Sequence, residues 1–426
     1  MILRDIAYGV GGLLSAPIWG TAMLKTGKWR TDWAGKLLGR VPEMNTEDVA
    51  GEKPTVLIHA VSVGEVMATR TLVDSLEKDG ARVVLATTTN TGFERAVKLF
   101  GERLMVVRYP LDFSFAVKRF LGEVKPDVVA LMELEVWPNF VGMCEKMGIP
   151  VAVINGRLTE RSYGRYLKVR GLIAGTFEKL SVAAVQTDAY AERFKGLGAR
   201  DEVVQVLDTM KWDTAKIEDE VEGSESLAEE FGLDRGKLTV VAGSTGPSEE
   251  AMLIEAVKGL EQDVNLILVP RKPERFDEVA GLDGGIVRMT RIRKGEKHAN
   301  PSIYLLDTMG ELRKAYALAD VVVVGRSFNG LGGSDLIEPI ALGKATVMGE
   351  SYYNFADAVD AFVNDGGIKI TDETGLKSAL TELLDDEGKR EAMREAGRGV
   401  IRRRMGSTRR HVDLLLGLVR DERTAK

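Results

Sequence analysis

The sequence of 426 residues contains one cysteine, three histidines and no Asp-x-Asp pair. A single cysteine excludes an internal disulfide framework and fits a reducing compartment. So few cysteines and histidines also leave little material for a zinc site or a histidine-based catalytic triad. Without Asp-x-Asp, the usual pair of carboxylates that holds a metal with a nucleotide is missing. We therefore expect catalysis by carboxylates and fixed dipoles, with no metal and no cofactor.

The composition is typical of a folded protein. Charged residues make up 29% of the chain and hydrophobic residues 44%, which excludes a disordered chain. The length is sufficient for two domains with sizeable cores. The net charge of −6 argues against nucleic acid as a partner.

An uncharged segment lies near the N-terminus. Residues 6–24 carry no charge and are about as long as a minimal membrane-spanning helix. Four glycines and Pro17 weaken that interpretation, so the segment could equally lie in the membrane interface or pack on the protein. It lacks the cleavage pattern of a secretory signal. We predict a membrane-anchoring or interfacial helix over residues 1–30. Because Lys25, Lys28 and Arg30 follow the apolar segment, the globular part is expected on the cytoplasmic face.

Two series of alternating strands and helices follow. Such alternation predicts doubly wound parallel sheets with helices on both faces. The predicted strands are Val56–His59, Val83–Ala86, Leu104–Val107, Val128–Leu131, Val151–Ile154 and Ala183–Gln186, then Thr239–Ala242, Asn265–Val269, Ile286–Arg288, Ile303–Leu306, Val321–Val324, Ala345–Met348 and Ile368–Ile370.

The domain limits follow from a break in this rhythm. The acidic segment 213–235 predicts a linker between two Rossmann-like domains, residues 31–212 and 236–400. A helical tail, 401–426, completes the chain. The arginine run at the end of the chain is typical of a solvated face, or of a surface that meets anionic lipid. Two domains joined by a linker predict a cleft, which is the default ligand site.

The loop after the first strand contains a candidate catalytic base. The run His59-Ala-Val-Ser-Val-Gly-Glu65 places Ser62, Gly64 and Glu65 at the carboxyl end of a strand, where ligands of such sheets gather. If partial burial tunes its pKa, Glu65 can take a proton from an incoming hydroxyl group. The alternative is a carboxylate that only complements the helix dipole.

Two more carboxylates follow the fourth strand. Glu133 and Glu135 lie at i and i+2 of an extended chain, on the same side of it and next to Trp137. We expect them to position the acceptor or to act electrostatically. Arg157 closes the fifth strand, and the arginines after it could hold phosphates of a large acceptor or form a basic surface.

The glycine-rich stretch Val324–Pro339 is a candidate nucleotide site. Ser334 or Asp335 is a plausible N-cap for the helix that follows. Backbone N–H groups at such a helix start suit a phosphate, and Glu338 could bond a ribose hydroxyl. The strict dinucleotide fingerprint is absent, so a plain strand-to-helix connection is the alternative. The predicted binding residues of this stretch are Gly332, Gly333, Ser334 and Glu338.

Other loops of the second series add to this candidate site. One turn is rich in hydroxyls, one loop carries arginines and a lysine, and one turn again places N–H groups at a helix start. A lysine at the hinge between the domains adds a further charge. Together they predict a phosphate-and-ribose pocket without a metal. Its residues are Lys211, Ser244, Thr245, Arg271, Met309, Gly310 and Glu311.

Taken together, these motifs resemble the 3-deoxy-D-manno-octulosonic acid (Kdo) transferases of lipopolysaccharide assembly. Their order and spacing match from the apolar N-terminal segment to about Phe355. The ensemble is specific, although no motif is specific alone. The matching runs are His59-Ala-Val-Ser-Val-Gly-Glu65, Glu133-Leu-Glu-Val-Trp-Pro-Asn139, Asn155-Gly-Arg-Leu158, Pro270-Arg-Lys-Pro-Glu-Arg-Phe276, Asp307-Thr-Met-Gly-Glu-Leu312 and Gly332-Gly-Ser-Asp-Leu-Ile-Glu-Pro339.

The resemblance implies the two-domain GT-B fold and an inverting transfer of Kdo from CMP-Kdo to a lipid A precursor. It implies that Glu65 is the general base and that Glu133 and Glu135 line the acceptor side. The apolar start would be the membrane anchor of the family, at the inner membrane. The residues that would hold the CMP part are Lys211, Arg271, Met309, Gly310, Glu311 and Glu338.

The chain departs from the family at three positions of the predicted donor pocket. Gly246, Lys272 and Ser334 stand where the family usually has histidine, which leaves the identity of the donor sugar open. One alternative is therefore a transferase or epimerase of the same fold that uses a UDP-sugar. The other is a non-catalytic, membrane-associated scaffold, against which the carboxylates kept at the loop ends argue.

Overall fold

Two compact units make up the chain. A computed structural model of the protein describes residues 1–26, 31–42, 53–298 and 301–424. The first unit contains residues 1–213 and 406–426, and the second contains residues 214–405. Each has a seven-stranded parallel sheet, so the predicted fold class is confirmed. Lys28 and Arg30, which support the predicted membrane orientation, lie outside the described residues.

The first sheet places two predicted site loops side by side. Its central strands are short aliphatic runs buried on both faces, as expected of a parallel sheet covered by helices. The strand order β3-β2-β1-β4-β5-β6-β7 reverses between β1 and β4, so the loops after these strands are neighbours at the carboxyl edge. The strands are β1 Thr55–His59, β2 Arg82–Thr87, β3 Met105–Arg108, β4 Val128–Met132, β5 Val151–Gly156, β6 Val182–Val185 and β7 Val204–Val206.

The N-terminal helix is docked onto this unit. The Asp5 carboxylate accepts the backbone N–H of Ser114 at 2.9 Å, and the Tyr8 hydroxyl donates to Asp112 Oδ2 at 3.0 Å. Leu3 and Leu14 are 82% and 78% exposed, so the helix keeps an apolar surface uncovered. Across the described residues, no helix combines the length and apolar character needed to cross a membrane. The helices before the second unit are α1 Ile2–Thr26, α2 Trp33–Leu38, α3 Val63–Ala68, α4 Arg70–Lys78, α5 Asn90–Phe100, α6 Ser114–Val124, α7 Pro138–Met147, α8 Glu160–Leu167, α9 Arg170–Phe177 and α10 Asp188–Leu197.

The second unit repeats the architecture. Its strand order is β10-β11-β9-β8-β12-β13-β14, and the reversal lies between β8 and β12. The strands are β8 Thr239–Thr245, β9 Asn265–Pro270, β10 Val287–Arg288, β11 Ile303–Leu305, β12 Val321–Val324, β13 Ala345–Met348 and β14 Lys369–Ile370. The helices are α11 Ser224–Phe231, α12 Glu249–Lys258, α13 Phe276–Ala280, α14 Met289–Ile292, α15 Leu312–Ala317, α16 Ile337–Ala341, α17 Ala356–Asn364, α18 Leu376–Asp385 and α19 Glu387–Arg404. The helix α11 lies inside the segment 213–235, which was predicted to be a linker. The domain limits drawn from the sequence stay a prediction.

The C-terminal helix returns to the first unit. This helix, α20 (Ser407–Thr424), buries Val412 and Leu415 in the core of that unit. Its His411 accepts the backbone N–H of Asn155 through Nε2 at 3.0 Å. The helix thus supports the end of β5, which carries one of the predicted site motifs.

Part of the arginine run in α19 is structural, not solvated. Arg398 is 5% exposed, and its Nη1 lies 2.8 Å from Asp219 Oδ1. Arg394 pairs with the same aspartate. The expectation of a solvated face is therefore wrong for Arg398, because it is buried within the second unit and pairs with Asp219 of the acidic segment.

Candidate active site

Glu65 folds back over its own loop. Ser62 caps α3, with its side chain accepting the Glu65 N–H at 3.4 Å, and its hydroxyl donates to Glu65 Oε1 at 2.9 Å. The backbone N–H of Val61 donates to Oε2 at 2.8 Å. Gly64 lies in the same first turn of the helix. The carboxylate therefore has a fixed position at the carboxyl edge of β1.

The pKa of Glu65 is raised to about 7. Burial is the largest cause, and the negative charges of Glu133 and Glu135 add to it. The donors Val61 and Ser62 oppose the shift, because they bond to the ionised form. A carboxylate with a pKa close to the working pH suits general base catalysis.

The loop after β4 is strained and tightly held. Glu133 has a positive φ of 57°, an uncommon conformation for a residue with a side chain. Its N–H donates to Ile154 O at 3.1 Å, and its carbonyl accepts the Arg157 N–H at 3.3 Å. The Trp137 indole donates to Glu135 Oε2 at 2.8 Å, while burial raises the pKa of Glu135. The first unit thus brings Glu133 and Glu135 close enough to Glu65 for their charges to raise its pKa. The extended chain expected at Glu133 is wrong, because this residue lies in a turn and has a positive φ.

The loop after β2 also supports this site, a role that was not predicted from the sequence. The Thr89 hydroxyl donates to Val61 O at 2.7 Å, which ties this loop to that of Glu65. Thr88 Oγ1 lies 3.0 Å from His59 Nε2. Burial lowers the pKa of His59 to about 3, so this histidine is neutral. The hydroxyl-rich run from Thr87 to Gly92 was the available signal.

In the second unit, three loops with predicted donor residues meet. Ser244, at the end of β8, has a positive φ of 56°. Its carbonyl accepts the Ser334 hydroxyl at 3.4 Å. The Arg271 N–H donates to Thr245 O at 3.1 Å, and the Arg271 side chain is exposed. Ser244, Arg271 and Ser334 therefore lie at one edge of the second sheet.

Glu338 is held by Arg313, a residue that was not predicted to belong to the site. Arg313 Nη1 donates to Glu338 Oε1 at 3.1 Å, and its Nη2 donates to Glu218 Oε1 at 2.6 Å. Burial raises the pKa of Glu338, and the Arg313 charge opposes that shift. Tyr316 is buried nearby, and its pKa is raised by burial and then by the charges of Glu338 and Asp335.

The structure corrects part of the expected donor set. The Gly332 N–H donates to Ser351 Oγ at 3.2 Å, and the Gly333 N–H donates to Arg326 O at 2.7 Å. These two glycines therefore do not offer free N–H groups to a phosphate. They shape the turn, with φ of 81° and 83°, values that favour glycine.

Two more predicted donor residues are engaged internally. The buried hydroxyl of Thr245 donates to Glu250 Oε1 at 2.6 Å. Both carboxylate oxygens of Glu311 accept from Arg293 at 3.0 Å, and the Thr308 hydroxyl adds a third bond. Thr245 and Glu311 therefore stabilise their turns and do not present a free side chain.

The remaining predictions lie at exposed positions. Met309 is exposed, and Gly310 has a φ of 89° in the turn before α15. Lys211 is exposed and belongs to the first unit, in a short 3₁₀ helix, Met210–Thr214. Their roles in binding the donor stay predictions.

Comparisons with known proteins agree with the motifs. The family described as 3-deoxy-D-manno-octulosonic-acid transferase matches residues 33–214, and that of glycosyl transferases group 1 matches residues 251–400. The 3-deoxy-D-manno-octulosonic acid transferase of Bordetella pertussis is 33% identical over 423 residues, which are 96% of this chain and 96% of that protein. That of Haemophilus influenzae is 31% identical over 369 residues, 84% of this chain and 86% of that protein.

A solved structure shows the same architecture. A glycosyltransferase from Rickettsia africae ESF-5 aligns with 87% of this chain and 99% of its own, with a TM-score of 0.60 and 12% sequence identity. At that identity the likeness is one of fold alone. It is the GT-B fold, with two parallel-sheet units.

Proposed function

Since the chain belongs to the 3-deoxy-D-manno-octulosonic acid (Kdo) transferase family, we propose that it transfers Kdo from CMP-Kdo to a hydroxyl group of a lipid A precursor. The observation that carries the proposal is the site around Glu65. There a fixed carboxylate with a pKa of about 7 lies near two further acids, Glu133 and Glu135. A hydroxyl nucleophile needs a base of this kind.

In the proposed reaction, Glu65 takes the proton of the acceptor hydroxyl. The hydroxyl oxygen attacks the anomeric carbon of Kdo from the face opposite the nucleotide, so the configuration inverts. The bond from that carbon to the phosphate oxygen breaks, and CMP leaves with the bonding electrons. Glu133 and Glu135 would position the acceptor or stabilise positive charge that develops on the sugar.

The second unit would hold the nucleotide. Arg271 offers an exposed guanidinium to the leaving phosphate, and the turn at Gly310 offers the start of a helix. Glu338, held by Arg313, would accept a ribose hydroxyl. Lys211 would add positive charge. The charge that develops on the departing phosphate would then meet fixed donors, and no metal would be required.

The identity of the donor sugar would depend on the three positions at which the family usually has histidine. At Gly246, a Cβ atom would lie 2.6 Å from Asn329 Nδ2 and 3.3 Å from Arg326 Cγ. A larger side chain would therefore require the Asn329 side chain to move. Lys272 is exposed, and Ser334 is buried. Gly246 and Ser334 thus lie in packed surroundings, and the identity of the donor sugar stays open at these positions.

The exposed apolar side chains of α1 support membrane attachment. Leu3, Leu13 and Leu14 are exposed, while Asp5 and Tyr8 hold the helix to the first unit. We propose that the helix lies in the membrane interface, on the cytoplasmic face of the inner membrane. The lipid acceptor would be reached from there.

The test uses the detergent-solubilised full chain with CMP-Kdo and a lipid A precursor, followed by mass spectrometry. The expected product is the precursor with added Kdo, together with released CMP. Calorimetry with CMP and with UDP separates the proposal from a UDP-sugar enzyme, because a mismatched base leaves a buried partner without its hydrogen bond. Tight UDP binding, with no Kdo transfer, would contradict the proposal.

A further inference from the structure

One buried carboxylate binds four backbone N–H groups. Glu249, the first residue of α12, is 1% exposed. Its Oε2 accepts the N–H of Gly246 at 2.7 Å and that of Arg326 at 2.6 Å. Its Oε1 accepts the N–H of Ser327 at 2.9 Å and that of Phe328 at 3.0 Å. A carboxylate has about four acceptor sites, so Glu249 is saturated.

The donors form an anion-binding loop. The N–H groups of residues 326–328 are consecutive and follow β12, and Arg326 has a positive φ of 61°. Successive N–H groups in such a conformation make a concavity that binds anions. In a nucleotide-binding fold, the loop after a central strand is the expected place for a phosphate. Here the anion is a side chain of the protein itself.

We infer that Glu249 is a positioning residue that fills this loop and fixes the neighbouring glycine turn for the nucleotide. The connection runs through Arg326, whose N–H is bound by Glu249 and whose carbonyl accepts the Gly333 N–H at 2.7 Å. Gly333 precedes Ser334 of the predicted donor pocket. The inference rests on the proposed function, and it assigns the donor phosphate to Arg271 and the Gly310 turn, away from the N–H groups of residues 326–328.

The adjacent carboxylate, Glu250, differs in its partner. It forms a buried two-point ion pair with Arg275, with distances of 2.6 and 2.9 Å. The four hydrogen bonds that Glu249 accepts come from backbone N–H groups and not from a cation. Replacing Glu249 therefore removes an acceptor from several backbone donors and does not break an ion pair. In Glu249→Gln, the NH₂ group of the amide would face two backbone N–H donors. Donors that face each other repel, whereas the carboxylate attracts the N–H groups of the loop.

The first experiment measures CMP affinity by calorimetry for the full chain with Glu249→Gln or Glu249→Ala. We expect binding about tenfold or more weaker, since buried donors lose their acceptor. The KM for the lipid acceptor should stay unchanged in both variants. Formate should restore CMP affinity to Glu249→Ala, whereas chloride at equal ionic strength should not. Glu255→Ala, an exposed residue of the same helix, is the matched control and should bind CMP normally.

A folded Glu249→Gln protein with CMP affinity within twofold of the unmodified chain would overturn the inference. So would rescue of Glu249→Ala by chloride as well as by formate. A third overturning result is a loss that falls equally on the donor and on the acceptor KM. That pattern is expected of a residue that only supports the fold.

The second experiment uses the unmodified chain, so it does not depend on a variant that folds. Hydrogen–deuterium exchange should show slow amides at residues 326–328 without CMP, and no further slowing when CMP is added. Fast amides that become protected only with CMP would mean that the loop binds the donor phosphate, which overturns the inference. A chain that binds no CMP, yet has slow amides there, would instead refute the proposed function and leave the loop assignment standing.

Discussion

Ser62 and Glu65 bond to each other twice, once through the serine hydroxyl and the carboxylate and once through the serine side chain and the backbone N–H of Glu65. The first bond stabilises the ionised carboxylate, and the second begins the helix. Burial and the neighbouring acids act in the opposite direction on the same carboxylate. The pKa of Glu65 is therefore set by opposing effects of neighbouring groups, and single substitutions can remove the effects of Ser62 and Glu133 separately.

Replacing Ser62 by alanine should move the acidic limb of the pH–rate profile to higher pH. The hydroxyl lowers the pKa of Glu65, so its loss raises that pKa above about 7, and more base is needed to ionise the carboxylate. One hydrogen bond to a charged group corresponds to a shift of about one to two pH units. The profile of kcat/KM checks it.

Thr159→Ala is the control for Ser62→Ala, because Thr159 caps α8 in the same way without touching Glu65. Thr159→Ala should lower the free energy of unfolding by about 1 kcal/mol, as expected for the loss of a helix N-cap, and leave the pH–rate profile unchanged. A Ser62→Ala profile with an unchanged acidic limb would show that the hydroxyl does not act on the base.

Replacing Glu133 by glutamine should move the same limb in the opposite direction. The Glu133 charge raises the pKa of Glu65, so its removal lowers that pKa, and activity should persist to lower pH. The maximal rate should fall if Glu133 also contacts the acceptor. The measurement is again kcat/KM against pH, and an upward shift would be inconsistent with the proposed charge coupling.

Replacing Arg313 by alanine should weaken donor binding. Without the guanidinium, Glu338 loses its cation, its pKa rises, and the carboxylate is less available to a ribose hydroxyl. We expect the donor KM to rise about tenfold, the effect of one charged hydrogen bond, with little change in the acceptor KM. Arg291→Ala is the control, since Arg291 is an exposed residue in the same unit. Equal effects of both substitutions would argue against this role.

Replacing Leu3 and Leu14 together by glutamate should reduce binding to vesicles that contain anionic phospholipid. Charged side chains on this face oppose its burial in the membrane interface. Co-sedimentation with the vesicles measures the bound fraction. Leu282→Glu, on the exposed surface of the second unit, should leave it unchanged. If the double variant sediments like the unmodified chain, α1 is not the membrane-binding element.

The positions of the strands and the loops that follow them can be predicted from the sequence, because they depend on local pattern. The run Val321–Val324 is apolar, β-branched and bounded, and it forms β12 over the same residues. Glu65 and Glu133 could be predicted as site residues because each lies in the loop after a predicted strand. The strand β7 was missed, because it is short, contains the polar Gln205 and is not buried, so it lacks the apolar run that marks the other strands.

Contacts between distant parts of the chain could not be predicted in this way. The His411 and Asn155 pair joins residues 256 positions apart, and nothing local indicates it. The burial of Glu249 depends on a loop about eighty residues further on. A first-turn glutamate usually lies in solvent near the helix dipole, so its sequence position alone predicts the opposite. The phosphate role expected of Gly332 needed correction because its N–H donates to Ser351, 19 positions further along the chain.

Glu65→Gln is the most direct test of Glu65 as the general base, because glutamine keeps the size of the side chain and removes its ability to accept a proton at neutral pH. The variant should bind CMP as tightly as the unmodified chain in calorimetry. Its rate of Kdo transfer should fall by about 10²–10⁴-fold, the range typical of losing a general base. Transfer at an undiminished rate would contradict the account and remove Glu65 from the role of base.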